Sequence, residues 1–329
     1  MKLPSDLLKL DATQATEQIT TALRTNVLKH LRKRGAVVGL SGGIDSSVVA
    51  ALCTKAFGKE RVLGLLMPEN DSSDESLELG TKLAEKLGIE TVAEPITPML
   101  EGARCYQRRD EAVRSVIPDY DASWKMKIVL PSVTESDAYR LYSLVAESPE
   151  GKRVSVRLPS EAYLAIVAAT NFKQRCRKML EYYHADRLNY AVAGTPNRLE
   201  YDQGFFVKNG DGSADFKPIA HLYKSQVYQL AAHLDLPKEI QSRLPTTDTY
   251  SLPQSQEEFY FSLPYQHMDV CLYAHNNGLS AADVAEGLNL TSEQVERVFR
   301  DIEGKRRTTH YLHLSPLLAE KVPEIRSSL

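Results

Sequence analysis

The sequence predicts an α/β fold: a doubly wound parallel sheet with an inserted segment and a helical C-terminal extension. Three observations predict it. Strand-like stretches at 36–40, 61–67 and 90–96 alternate with helical ones, the rhythm of a doubly wound parallel sheet. A turn rich in glycine and serine, Gly39-Leu40-Ser41-Gly42-Gly43-Ile44-Asp45-Ser46-Ser47, joins the first run to the next helix. The rhythm then breaks between about 98 and 159, and from about 265 to 329 the patterning is helical. All 329 residues are assigned to one domain, with 98–159 as an inserted elaboration and 265–329 as the tail.

In chain order, Ile19, Leu23, Val27 and Leu31 recur at spacing four, so 11–34 reads as an amphipathic helix. Strand 36–40, the glycine turn and helix 46–57 form the first βα unit. Run 61–67 is a strand buried on both faces. Ser72 opens the helix over 72–87, with capping residues at its start and Gly88 at its stop. Residues 90–96 are the third strand. A helical piece near 107–116 follows, then a hairpin near 140–158 turning at Pro149-Glu150-Gly151. Arg104, Arg108, Arg109 and Arg114 read as a solvated face, with phosphate grip as the rival reading. A long helix covers 160–186. On it Arg175 and Arg177 are two apart and point to different faces, so one of them faces any given pocket. Residues 189–195 form a strand ending in a small turn.

Bulk properties exclude several classes. A hydrophobic share of 43% is that of an ordinary soluble protein, and a net charge of −3 carries no global signal for nucleic acid or acidic membrane. Cys53, Cys105, Cys176 and Cys271 are far apart and form no CxxC, which argues against a disulfide framework or zinc site and fits a reducing compartment. The N-terminus lacks a signal peptide's apolar core, and no run reaches membrane-spanning length. The expected location is the cytoplasm. Eight histidines include no HxH or HExxH pair.

The glycine turn carries the chemistry. A strand, a glycine loop and a helix N-terminus present free backbone N–H groups and the positive end of a helix dipole to an anion. Gly42 and Gly43 allow close approach and positive φ, and Ser41, Ser46 and Ser47 add hydroxyls. Asp45 would repel a bare phosphate, so it points to a magnesium–phosphate complex. No Gly-Lys-Ser/Thr follows, so this is no Walker A loop. A second cluster follows the 189–195 strand. Glu200, just past the strand end, would share Mg²⁺ with Asp45, while Lys208 and Lys224 would neutralise charge on departing pyrophosphate.

SGGIDSS resembles the pyrophosphate loop of the N-type ATP pyrophosphatases. Joined to NFKQRCR, GTPNRLE, GFFVKNGDGSAD, the LYKSQVYQLA helix and PTTD, it resembles the ammonia-dependent NAD synthetases over about 17–96 and 160–310. The resemblance implies an adenine nucleotide alpha hydrolase-like fold. It also implies ATP-dependent amidation of deamido-NAD by ammonia, through an acyl-adenylate, to NAD, AMP and pyrophosphate. ATP would be co-substrate and Mg²⁺ the metal. Gly39, Leu40, Ser41, Gly42, Gly43, Ile44, Asp45 and Ser46 would bind ATP phosphates, together with Thr195, Lys224 and Thr246. Asp45 and Glu200 would hold Mg²⁺. Arg175, Lys208, Asp215, Lys305 and Arg306 would hold deamido-NAD, and Asp211 would orient or deprotonate ammonium. Catalysis would rest on Asp45, Lys208, Asp211 and Lys224. The family implies a homodimer, with a separate glutaminase as one source of ammonia.

Asn209 stands where the family usually has tyrosine, and TYSLPQSQEEFYF departs from the usual loop after Thr247. These departures and the 98–159 insertion motivate an alternative, the same ligase chemistry on another carboxylate. A rival of a different class, a nucleotide- or DNA-binding regulator with a dead site, draws on the helix-turn-helix look of 279–302. Mixed charges at Glu293, Glu296, Arg297, Arg300 and Asp301 suit a packed helical pair better than a phosphate backbone.

Overall fold

The computed structural model describes residue 4 and residues 6–133, 141–247 and 249–325. The first residue of the 140–158 hairpin region and Asp248 of the PTTD motif lie outside the described residues.

Helix α1 (Ala12–Leu23) is capped by Asp11, which accepts from the Gln14 N–H, and buries Ala15, Ile19 and Leu23. It runs on as a π-helical stretch, Arg24–His30. Strand β1 (Ala36–Gly39) leads to α2 (Ile44–Phe57), β2 (Val62–Leu66), α3 (Asp74–Leu87) and β3 (Glu90–Ala93). Every residue of β2 is buried, as a strand covered on both faces requires. Ser73 caps α3, and Gly88 ends it in the left-handed conformation.

Two short helices, α4 (Thr97–Gly102) and α5 (Cys105–Arg114), precede a second sheet. Its strands β4 (Lys125–Val129), β5 (Ser143–Glu147) and β6 (Arg153–Arg157) are antiparallel in the order β4-β5-β6. The β5–β6 hairpin lies where the sequence placed it. Strand β4 was not expected, although Lys125-Met126-Lys127-Ile128 has the alternation. Met126 opposite Ala146 and Ile128 opposite Leu144 put apolar pairs on one face. That face packs on Val113, Ile117 and the first turns of α6 (Ser160–Leu188).

After α6 come β7 (Ala191–Val192), α7 (Arg198–Gln203), α8 (Lys224–His233) and α9 (Lys238–Ser242). The main sheet is parallel, in the order β3-β2-β1-β7. The chain moves outward from β1 to β3, then returns to β1's other side at β7. The C-terminal ends of β1 and β7 therefore flank the point where strand order reverses, where α/β sheets bind ligands.

The tail forms α10 (Tyr265–Asn276), α11 (Ala281–Leu288) and α12 (Ser292–His313) around Met268, Leu272, Val284, Val295, Val298 and Ile302. The face of α12 carrying Val295, Val298 and Ile302 is core, which settles 279–302 as a packed helical pair. Helix α12 also lies against α7: a Cβ on Gly204, at φ +73°, would fall 2.2 Å from the Thr309 side chain.

Candidate active site

The loop after β1 is tied by its own hydroxyls. Ser41 Oγ and Ser46 Oγ are 3.0 Å apart, and Ser46 and Ser47 donate to the Gly43 carbonyl at 3.1 and 2.7 Å. Gly42 has φ +71°, and a Cβ there would lie 2.6 Å from the Ser76 carbonyl oxygen. Gly43 has φ −85°, so of the two glycines only Gly42 uses the left-handed region. Gly43 is instead the N-cap of α2, whose first turn carries Asp45.

Asp45 reaches two later elements. It forms an ion pair with Lys224 at the start of α8, and its Oδ1 accepts from Asn197 Nδ2 at 3.0 Å. Asn197 caps α7, where Glu200 completes a capping box. Glu200 thus sits in the first turn of a helix, not simply past a strand end as expected. Its Oε1 accepts from Gln256 Nε2 at 2.9 Å. The backbone N–H groups of Lys224 and Ser225 donate to the two oxygens of buried Asp269, at 3.1 and 2.7 Å, which fixes the base of Lys224.

Electrostatics follow from this burial. Glu200 is pushed up to about 8, first by desolvation and then by the Asp45 charge, against the pull of Lys224. Burial disfavours the Lys224 ammonium, but Asp45 and Glu200 outweigh it and hold the group charged above its ordinary range. Burial likewise raises Asp211, whose Oδ1 accepts from the Val207 N–H at 2.8 Å.

Two cavities meet here. The larger, about 390 Å³, takes in Gly43, Ile44, Asp45, Glu200, Lys224 and Thr246. The smaller, about 160 Å³, takes in Gly39, Leu40, Met67, Arg177, Lys178 and Glu181. Ser41, Ser46, Gln174, Thr195, Asp211 and Thr247 line both.

The remaining expected residues lie outside these cavities. Arg175 Nε donates to the Lys208 carbonyl at 3.3 Å, and Lys208 Nζ donates to the Tyr311 carbonyl at 2.8 Å. Asp215 accepts from the Val192 N–H at 2.7 Å. Lys305 pairs with Asp301 at 2.7 Å, and Arg306 grips Asp202 in a fork of 2.6 and 2.9 Å. Of the two helix arginines it is Arg177 that faces a cavity, donating to the Met67 carbonyl at 3.2 Å. Arg109, read as part of a solvated face, is buried against Asp71 and Asp110.

Sequence reasoning passed over Asn197, Gln256, Lys178 and Glu181, and it assigned the substrate to Arg175 rather than Arg177. The Asn-x-x-Glu spacing of 197–200 is a legible capping signal. Gln174, Lys178 and Glu181 repeat at i, i+4, i+7 along one helix face. Gln256 carries no local signal. Among the described residues no group of three or more His, Cys, Asp or Glu side chains is placed to hold a metal ion, and no helix is long and apolar enough to cross a membrane.

A parallel sheet with a serine-glycine loop at its reversal point, an acid in that loop and a lysine paired to it define an α/β protein of adenine nucleotide alpha hydrolase-like fold. The NAD synthase family model matches residues 15–128 and 152–311, passing over 129–151, and the chain belongs to the NAD synthase family. It is 60% identical to an NH(3)-dependent NAD(+) synthetase of Rhizobium meliloti over 98% of this chain and 96% of that one. It is 59% identical to that of Mesorhizobium japonicum over 97% of this chain and 100% of that one. The solved NMN synthetase of Francisella tularensis superposes with a TM-score of 0.66 at 23% identity, over 95% of this chain and 100% of that one, a likeness of fold.

Proposed function

We propose that the chain amidates deamido-NAD with ammonia, consuming ATP and releasing NAD, AMP and pyrophosphate. The observation that carries this is the convergence of Asp45, Glu200 and Lys224 on one cavity beside the β1 loop. The loop's N–H groups and the α2 dipole hold the ATP phosphates. A carboxylate oxygen of the substrate attacks the α-phosphorus, and the bond to the bridging oxygen breaks as pyrophosphate leaves. Lys224 neutralises that leaving charge. Ammonia then attacks the acyl carbon and AMP departs. Asp211, at the junction of the two cavities, holds the incoming nitrogen and takes its proton. Positioning and charge suffice, with no covalent nucleophile.

Asp45 and Glu200 fit Mg²⁺. Two carboxylates face one cavity, and Glu200, raised first by burial and then by the Asp45 charge, is stabilised as an anion by a divalent cation. Bound there, the ion would neutralise phosphate charge. Thr195 and Thr246, which line the larger cavity, are assigned to ATP.

Arg175 on α6, Lys208 and Asp215 between α7 and α8, and Lys305 and Arg306 on α12 are assigned to the remote half of the dinucleotide. Leu164, Phe172, Met179 and Tyr183 are exposed on α6 within an arc of roughly 100° at 3.6 residues per turn, and Arg175 falls in the same arc. Such a stripe supports a homodimer with the dinucleotide at its interface. We assign one domain, elaborated at 98–159 and 265–329, and a cytoplasmic location, which four free buried cysteines suit. Ammonia comes from solution or from a separate glutaminase.

The test is incubation with ATP, Mg²⁺, ammonium and deamido-NAD. NAD and AMP should appear in equal amounts, and Asp45→Asn should abolish both. Pyrophosphate exchange with another acid alone would overturn the reading.

A further inference from the structure

The larger cavity has two chemically different ends. Asp45, Glu200 and Lys224 form the ionic end. The other end is a wall of rings: Tyr142, Tyr163, Tyr250, Phe259, Phe205 and Tyr260. These rings touch in sequence. Tyr142 stacks on Tyr163 at 4.5 Å and 16°, and tilts on Phe259 at 6.3 Å. Phe259 meets Tyr250 edge-on at 5.6 Å and Phe205 at 5.9 Å, and Phe205 stacks on Tyr260 at 4.6 Å. Gln256, bonded to Glu200, sits three residues before Phe259 and joins the two ends.

Tyr142 stands outside the residues the family model matches. It lies within 129–151 and directly precedes β5. Its carbonyl accepts from the Leu158 N–H at 2.9 Å, so the β4-β5-β6 sheet fixes its backbone. The ring is half-buried, leaving surface turned to the cavity.

We propose that the segment outside the family match supplies, through Tyr142, a stacking face for the aromatic ring of the acid being adenylated, making Tyr142 a specificity-determining residue. This rests on the adenylation reading above. An acid whose carboxylate reaches the phosphates at the ionic end must lay its body along the aromatic wall. A flat ring extends the existing stack at the offset geometry aromatic pairs prefer. An aliphatic acid gains burial there but no stacking.

The test uses full-length Tyr142→Leu, Tyr142→Ala and Tyr142→Phe, with deamido-NAD and ATP varied in turn. Leucine keeps apolar bulk without a ring, so it stands in if the alanine variant fails to fold. Tyr142→Leu should raise KM for deamido-NAD about tenfold, the scale of losing one stacked base, with KM for ATP unchanged. Tyr142→Phe should recover most of that loss. An unchanged acceptor KM in the leucine variant, or an equal rise in both KM values, overturns the stacking assignment while leaving the reaction intact. Wild-type protein that forms no NAD overturns the adenylation reading, and the assignment with it.

Discussion

Lys224 and Asp45, 179 residues apart in the chain, meet as an ion pair in the larger cavity, with Glu200 lining the same space. The lysine side chain is 2% exposed and the aspartate 15%, so water screens the pair poorly. The ammonium pairs with Asp45 and attracts Glu200, which offsets the repulsion between the two carboxylates.

Lys224→Met removes the cation and leaves both acids. Turnover should fall by about 10²–10³-fold, the scale of losing one charge-stabilising donor. Stability should fall by about 3–5 kcal/mol, the cost of breaking a buried pair. AMP release and denaturant unfolding read the two effects. Parental turnover in this variant would remove Lys224 from the chemistry.

Gly42→Ala tests the loop's backbone. The residue sits at φ +71°, and the added methyl would meet the Ser76 carbonyl at 2.6 Å. Neither backbone can yield without moving the β1 loop or α3. The variant should lose more than about 1 kcal/mol and lose stabilisation by ATP in thermal melts. Gly43→Ala, at φ −85°, should be milder in both readouts.

These two sites show why the sequence was legible in some places and silent in others. The β1 loop is local: glycine spacing, a flanking strand and a helix start all lie within a dozen residues. The 61–67 strand was legible for the same reason, since burial on both faces leaves an apolar run, whereas Glu90–Ala93 is largely exposed at the sheet edge and was legible only from the alternation of strands with helices. The 189–195 strand shrank to Ala191–Val192 because the chain leaves the ladder at Ala193, which bridges Phe216 instead. The site's closure is not local. Gln256 meets Glu200 across 56 positions, and Asn197 meets Asp45 across 152. Arg109 looked like one of several surface arginines, because its partner Asp71 is 38 residues away.

Asp269 gives a pH prediction with a definite sign. Burial raises its carboxyl from 3.8 to about 6, against the bonds from Ser225 and Lys224 that favour the anion. Between those values the folded chain keeps a proton the unfolded chain has released. Stability from this group is therefore full below 3.8 and is lost as pH rises through about 6. A shift of this size corresponds to about 3 kcal/mol. Asp269→Asn should flatten the pH dependence of unfolding over that window relative to the parent. It should also lower turnover, because Asn can accept from only one of the two α8 N–H groups with its oxygen and so holds the base of Lys224 less firmly. A variant whose stability tracks the parent's at every pH would show that Asp269 titrates normally.

The exposed stripe on α6 gives the last prediction. Leu164, Met179 and Tyr183 are each more than half exposed, at 63%, 58% and 61%. Three large apolar groups on one helix face are costly to leave in water, and a second copy covering them would recover that cost. Met179→Glu places a charge in the middle of the stripe. The parent should run as a dimer in light scattering and the variant as a monomer, with thermal unfolding of each protomer little changed, since Met179 makes no core contact to lose. Arg175 shares the arc, so the monomer should also show a raised KM for deamido-NAD with KM for ATP unaffected. If the parent is a monomer, or if the variant dimerises with parental affinity, α6 is not the interface and Arg175 needs another role.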